Sequence, residues 1–182
     1  MGSRTILAVL HDDVFTLNAT GPLEVFATAP SGGEAVGAGG APYRITTASP
    51  GGRPVRSSCG LHLQPDADLV DCAPPHTLLV PGGRVDREPD PKLIARIAEL
   101  ADGAERVVSV CTGSFLIAAA GLLAGRRATT HWAFCDQLAE RFPATTVAPE
   151  PLYVRDGRVA TSAGVTAGID LAIALVEEDL GA

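Results

Sequence analysis

Lysine is nearly missing from this 182-residue chain: Lys92 stands alone beside thirteen arginines. That skew reads as the codon usage of a GC-rich genome rather than a binding signal. Base is scarce relative to acid, and the net charge is −7. An acidic chain with no basic stripe is poorly suited to grip a phosphate backbone, so no nucleic acid contact by this chain itself is expected. Aromatics make up only 4% of residues, which disfavours an aromatic-rich sandwich. Apolar runs stay well short of the roughly 20 residues needed to span a membrane, so no membrane segment is expected. The opening MGSRTILAVLHDD is too short for an export signal, and a strand starting at Thr5 argues against a lipidated tail. Cys59, Cys72, Cys111 and Cys135 form no C-x-x-C pair and have no histidine at zinc-finger spacing. No metal and no organic cofactor is implied, and reduced thiols in the cytoplasm are expected.

What is present is 46% apolar residues and an abundance of glycine and alanine. That is enough to bury one core, so residues 1–182 are read as a single domain. RTILAVL (4–10), HTLLVPGG (76–83) and RVVSVC read as buried strands. TGPLEVFATA reads as a helix capped by Thr20 with Pro22 in its first turn. The Gly-rich stretch 30–42 is the candidate mobile loop, and YRITTAS follows it as a strand. PVRSSCGLHLQPD (54–66) suggests a hairpin on the sheet edge. DPKLIARIAELAD, TGSFLIAAAGLL, WAFCDQLAERF and VTAGIDLAIALVEEDL have helical periodicity, and LYVRDGRVATS is a hairpin turning at Asp156-Gly157. Alternation of strand and helix predicts a three-layer α/β/α sandwich around a mostly parallel, flavodoxin-like sheet.

One feature of chemical interest is VVSVCTGSFLIAAAGLL, where a buried run stops at Cys111 and a small-residue helix follows. Strand, cysteine, small residue, glycine, helix is the layout of a nucleophile elbow. A helix N-terminus favours negative charge, so a thiolate presented to open space is expected there. Gly82 and Gly83 end the preceding strand, where bare backbone amides can approach a ligand and form an oxyanion site with the Thr112 amide. His131, in TTHW, sits at another strand end and is a candidate neighbour of Cys111. Asn18 falls in a loop at the same sheet edge; it can hydrogen-bond but not titrate. His11, His62, His76, Asp12 and Asp13 are given no role. Trp132 is read as core, Cys59 and Cys135 as structural.

SVCTGSFLIAAAGLLAGRRATTHW and TSAGVTAGIDLAIALVEEDLG resemble the ThiJ/PfpI superfamily, the class I glutamine amidotransferase-like fold. TGPLEVF, YRITTASPGG, LLVPGG and LYVRDGRVATSAGVTAGIDLA fit in order. Within it the chain resembles the amidase-like N-terminal domain of GlxA-type AraC-family transcription regulators, and, among enzymes, isonitrile hydratase. The resemblance puts the reactive cysteine at Cys111, the second histidine at His131 and the acidic partner at Asn18. The histidine that follows the cysteine in the protease-like branch is replaced by Thr112, which disfavours a peptidase. It implies a small-molecule ligand held by Gly82, Gly83, Cys111, Thr112, Asn18 and His131, and a homodimer. The expected role is sensing in a regulator whose helix-turn-helix part lies beyond Ala182; the alternative is a cysteine-dependent hydratase or amidase.

Overall fold

Buried strands come first. β1 (Arg4–Val9), β2 (Tyr43–Ser49), β6 (Thr77–Val80), β7 (Arg106–Val110) and β11 (Val159–Ser162) form the parallel body of a seven-stranded sheet. Its order is β2-β1-β6-β7-β11, with β5 (Ala67–Asp68) on one edge and β10 (Tyr153–Asp156), antiparallel to β11, on the other. This is the flavodoxin-like arrangement expected of an α/β sandwich. The computed structural model describes residues 3–30 and 41–181, so most of the glycine-rich stretch 30–42 lies outside the described residues. Among the described residues, no helix is long and apolar enough to cross a membrane.

Because side chains alternate along a strand, each strand feeds two cores. Leu7, Val9, Leu78, Val80 and Val107 face one layer with Leu93, Ile97, Leu100, Ile117 and Leu138. Those residues belong to α2 (Pro91–Asp102), α3 (Gly113–Ala119) and α4 (Cys135–Arg141). Ile6, Ala8, Leu79, Val108 and Val110 face the other layer with Phe26, Leu171 and Leu175, from α1 (Thr16–Ala27) and α5 (Val165–Leu180). Small residues let the layers close. A Cβ on Gly168 would lie 2.6 Å from Val110 Cγ1, and one on Gly21 would lie 3.0 Å from Ile169.

Four expectations are corrected. α1 begins at Thr16, so Thr20 lies inside it and its hydroxyl donates back to the Thr16 carbonyl at 3.0 Å. Pro22 is therefore interior, which the close packing of α1 on α5 tolerates although proline supplies no helical N–H. The 54–66 hairpin, β3 (Val55–Arg56) with β4 (His62–Leu63), forms its own two-stranded sheet. β8 (Arg127–Ala128) and β9 (Thr146–Val147) form a second small sheet. Trp132 is 77% exposed rather than core, because the short 3₁₀ turn it opens lies on the surface.

The five strands of the parallel body all end at one sheet edge, which gathers the loops after β1, β6, β7 and β11. At the opposite edge Asp179 of α5 accepts from Arg106 at 2.6 Å and from the Tyr43 hydroxyl at 2.7 Å, with Arg4 at 3.6 Å. Burial opposes ionisation of Asp179, but Arg106 and Tyr43 outweigh it and leave its carboxyl below the usual range. A lowered native pKa makes this contribution full above the unfolded value near 3.9 and lost as pH falls through the native one. Asp179→Ala is expected to cost about 3 kcal/mol in denaturant unfolding, since it leaves Arg106 without its carboxylate, and to flatten the fall in stability below about pH 4. Gly113→Ala is expected to destabilise by more than about 2 kcal/mol, because the new methyl would enter the van der Waals shell of the Val80 carbonyl.

Candidate functional site

Cys111 ends β7 and precedes α3 with φ +58; among the described residues, Asp13, at φ +63, is the other non-glycine with positive φ. A residue with a Cβ gives up roughly 1–2 kcal/mol in that region. The conformation is imposed from several sides. The Cys111 N–H donates to the Ser162 carbonyl of β11 at 2.9 Å. Its own carbonyl accepts from the Thr130 hydroxyl at 3.0 Å and the Ser114 N–H at 3.4 Å. Gly113 lets the elbow press onto the Val80 carbonyl, and a Cβ on Gly82 would lie 2.6 Å from Thr112 Oγ1.

The elbow geometry is therefore as the sequence suggests, but the thiol is not presented to open space. Cys111 is 2% exposed. Burial pushes its pKa up, against the opposing pull of the Thr112 N–H, the Asn18 side chain and the Thr112 hydroxyl. The expectation of a favoured thiolate is thereby corrected: α3 has only seven residues, and desolvation of a thiolate outweighs its first amides. Thr112 is bound as well. Its hydroxyl donates to the Gly83 carbonyl at 2.7 Å and accepts from the Gly83 N–H at 3.0 Å. The Gly83 amide expected to serve an oxyanion is thus committed to Thr112. The Gly82 carbonyl accepts from Phe15 N–H at 2.9 Å, drawing the start of α1 against the same turn.

Asn18 is the third residue of α1 rather than a loop residue. It is fully buried beside the thiol, and neither its nitrogen nor its oxygen has a hydrogen-bond partner of normal geometry. His131 stands apart. Its ring accepts from Ala133 N–H at 3.3 Å and lies 5.4 Å from the Trp132 ring and 5.7 Å from that of Phe134. No hydrogen bond joins it to Cys111 among the described residues. The structure thus brings together Cys111, Thr112, Asn18, Gly82 and Gly83, and leaves His131 connected through its neighbour Thr130.

A cavity of about 260 Å³ opens beside the elbow, floored by Thr112 and Gly83 and walled by His11, Asp13, Arg87 and Phe115 among others. It lies where β1 and β6 adjoin and the strand order reverses, a place where open α/β sheets hold ligands. Cys111, Asn18 and His131 do not line it. His11 and Asp13 were given no role from sequence; the signal available was that their loop follows the first parallel strand and so must emerge at this edge. His11 sits close enough to Gly83 that a Cβ there would collide with the imidazole. Cys59, read as structural, is an exposed thiol on the β3–β4 hairpin. Hydroxyls of Ser57 and Thr16 and the Leu61 backbone bring its pKa down to about 7.

Comparison with known proteins agrees with this architecture. Residues 4–178 match the model of the DJ-1/PfpI family. The chain is 38% identical over 176 residues to isonitrile hydratase of Pseudomonas putida, covering 95% of this chain and 71% of that protein. It is 36% identical over 140 residues to the HTH-type transcriptional regulator CdhR of Pseudomonas aeruginosa, covering 76% of this chain but 41% of the regulator. A crystal structure of a ThiJ/PfpI family protein from Pseudomonas syringae superposes with a TM-score of 0.83 at 30% identity, covering 98% of this chain and 69% of that one. Sequence, sheet order and elbow agree: this chain belongs to the DJ-1/PfpI family.

Proposed function

We propose that this chain is a small-molecule-sensing, amidase-like regulatory domain of the AraC/GlxA kind. One observation carries the reading: the elbow thiol is buried, held in its protonated form, and faced by the amide of Asn18. A cysteine that attacks a substrate must first become a thiolate. Burial opposes that step, and Asn18 can neither take nor return a proton. Relatedness to a transcriptional regulator supports the same reading.

The ligand is read as a small amide-, amine- or nitrile-like metabolite held in the cavity against the elbow. Asp13 and Arg87 of its wall enter no ion pair among the described residues, whereas Asp12 holds Arg53 and Glu88 holds Arg141. The cavity therefore offers Asp13 and Asp90 as anionic handles and Arg87 as a cationic one, beside the apolar Leu93 and Phe115 of its wall. DNA contact would fall to a separate helix-turn-helix part, in keeping with the net charge of −7 on this chain. We read the working form as a cytoplasmic homodimer, with the exposed Leu17, Leu61 and Ile173 available to a second copy.

The second reading is a cysteine-dependent hydratase or amidase resembling isonitrile hydratase. The strained elbow favours it, since strain of this sort concentrates where chemistry is done. There the thiolate would add to the isonitrile carbon as that carbon takes up a proton, and water would then add to the thioimidate and expel the thiolate, leaving an N-substituted formamide. Incubation with an alkyl isonitrile separates the two. Wild type and Cys111→Ala are expected to give the same background of formamide by chromatography; wild-type turnover that Cys111→Ala abolishes overturns the sensing role. Asn18→Asp is expected to raise formamide formation roughly 100-fold by restoring an acid–base group.

A further inference from the structure

Cys111 cannot hold a left-handed conformation unaided, and the grip on its carbonyl has a direction. Thr130 Oγ1 lies 3.0 Å from that oxygen; Ser114 Oγ lies 2.8 Å from Thr130 Oγ1 and 3.2 Å from the carbonyl. Each hydroxyl has one proton to give. Thr130 donates to the carbonyl, and Ser114 donates to the nearer oxygen, that of Thr130. The result is a chain from Ser114 through Thr130 to Cys111. Ser114 and Thr130 are fully buried and Cys111 nearly so, and bonds in such a dry chain strengthen one another.

The two hydroxyls differ in where they are anchored. Ser114 belongs to α3 and moves with the elbow. Thr130 arrives from 19 residues away, just past β8, and its neighbour Thr129 donates its N–H to the Thr161 hydroxyl of β11 at 2.8 Å. Thr130 is the fixed end.

The consequence runs through one peptide plane. The Cys111 carbonyl and the Thr112 N–H belong to the same rigid, planar unit, so holding one sets the direction of the other. We propose that Thr130 is the positioning residue of the elbow, whose hydroxyl fixes the Cys111–Thr112 peptide and so aims the Thr112 amide at the thiol. The inference rests on the Cys111 elbow being the functional site. That amide is the strongest of the groups that favour the thiolate, and no charged side chain among the described residues acts on the sulfur. Orientation of this N–H therefore governs the largest share of what offsets burial, with the Asn18 and Thr112 side chains supplying the rest.

The test compares wild type, Thr130→Val and Thr130→Ser in the full chain. Each is prepared with ¹³C-labelled cysteine and titrated from about pH 6 to pH 11, and the Cys111 Cβ resonance is followed by NMR apart from that of Cys59. Thr130→Val is expected to raise the Cys111 midpoint by about half a pH unit or more, roughly threefold less thiolate at a fixed lower pH. Cys59, on the hairpin, should keep its profile, and Thr130→Ser should restore the Cys111 value. A Thr130→Val midpoint that is unchanged or lowered overturns the proposal, because a hydroxyl that only adds stability would leave the thiol alone. If Thr130→Val does not fold, Ser114→Ala takes its place. Removal of the upstream donor should move the midpoint in the same direction by less, and an unmoved midpoint overturns the proposal too. None of these readings depends on a ligand or on turnover, so a failure of the sensing role would show separately, in isonitrile hydration.

Discussion

One peptide unit, Cys111–Thr112, is the constraint on which the site depends. It must turn the chain from β7 into α3 within a residue, and it does so with a side-chain-bearing residue in left-handed conformation. That choice is unfavourable locally. It persists because β11 holds the N–H, Thr130 holds the carbonyl, and Gly113 and Gly82 remove the atoms that would push the turn away. The parallel sheet supplies the rest, since it delivers the ends of β1, β6, β7 and β11 to one edge.

The elbow sets two influences on one sulfur against each other. Backbone amides at the turn favour negative charge, and enclosure by the sheet and α1 disfavours it. Enclosure wins here. What would tip the balance is an acid–base group beside the sulfur, and the chain offers Asn18 instead, buried with neither polar atom in a hydrogen bond of normal geometry. A cavity lies next to the elbow, on Thr112, Gly83 and the β1 loop. The cavity wall and the elbow thiol are thus neighbours along the chain, at Thr112 and Cys111.

Much of this was legible in the sequence, for identifiable reasons. Continuous apolar runs and glycine-marked turns at 76–83 and 107–113 pointed to β6, β7 and the elbow, because strands buried on both faces read as unbroken apolar runs. Asn18 was recognisable as a non-titrating residue at the catalytic edge. Its place inside α1 was hidden, since Pro22 argues for a later helix start and only packing against α5 keeps it interior. The exposure of Trp132 was hidden for a similar reason: a 3₁₀ turn on the surface overrides the tendency of a large aromatic to be buried. Burial of Cys111 was illegible too, because helix polarity can be read from order along the chain whereas desolvation depends on what folds over the sulfur. The role of Thr130 required knowing which residue 19 positions away meets a carbonyl.

The central claim is that burial prevails over the amides at Cys111. Its most direct test is a titration of the full chain with ¹³C-labelled cysteine, following the Cys111 Cβ resonance by NMR, assigned by its loss in Cys111→Ala. An ordinary cysteine titrates near about pH 8.5. The resonance should stay that of a thiol through neutral pH and begin to move only above that value. A midpoint at or below about pH 7 would contradict the account, since it would make the elbow a ready nucleophile.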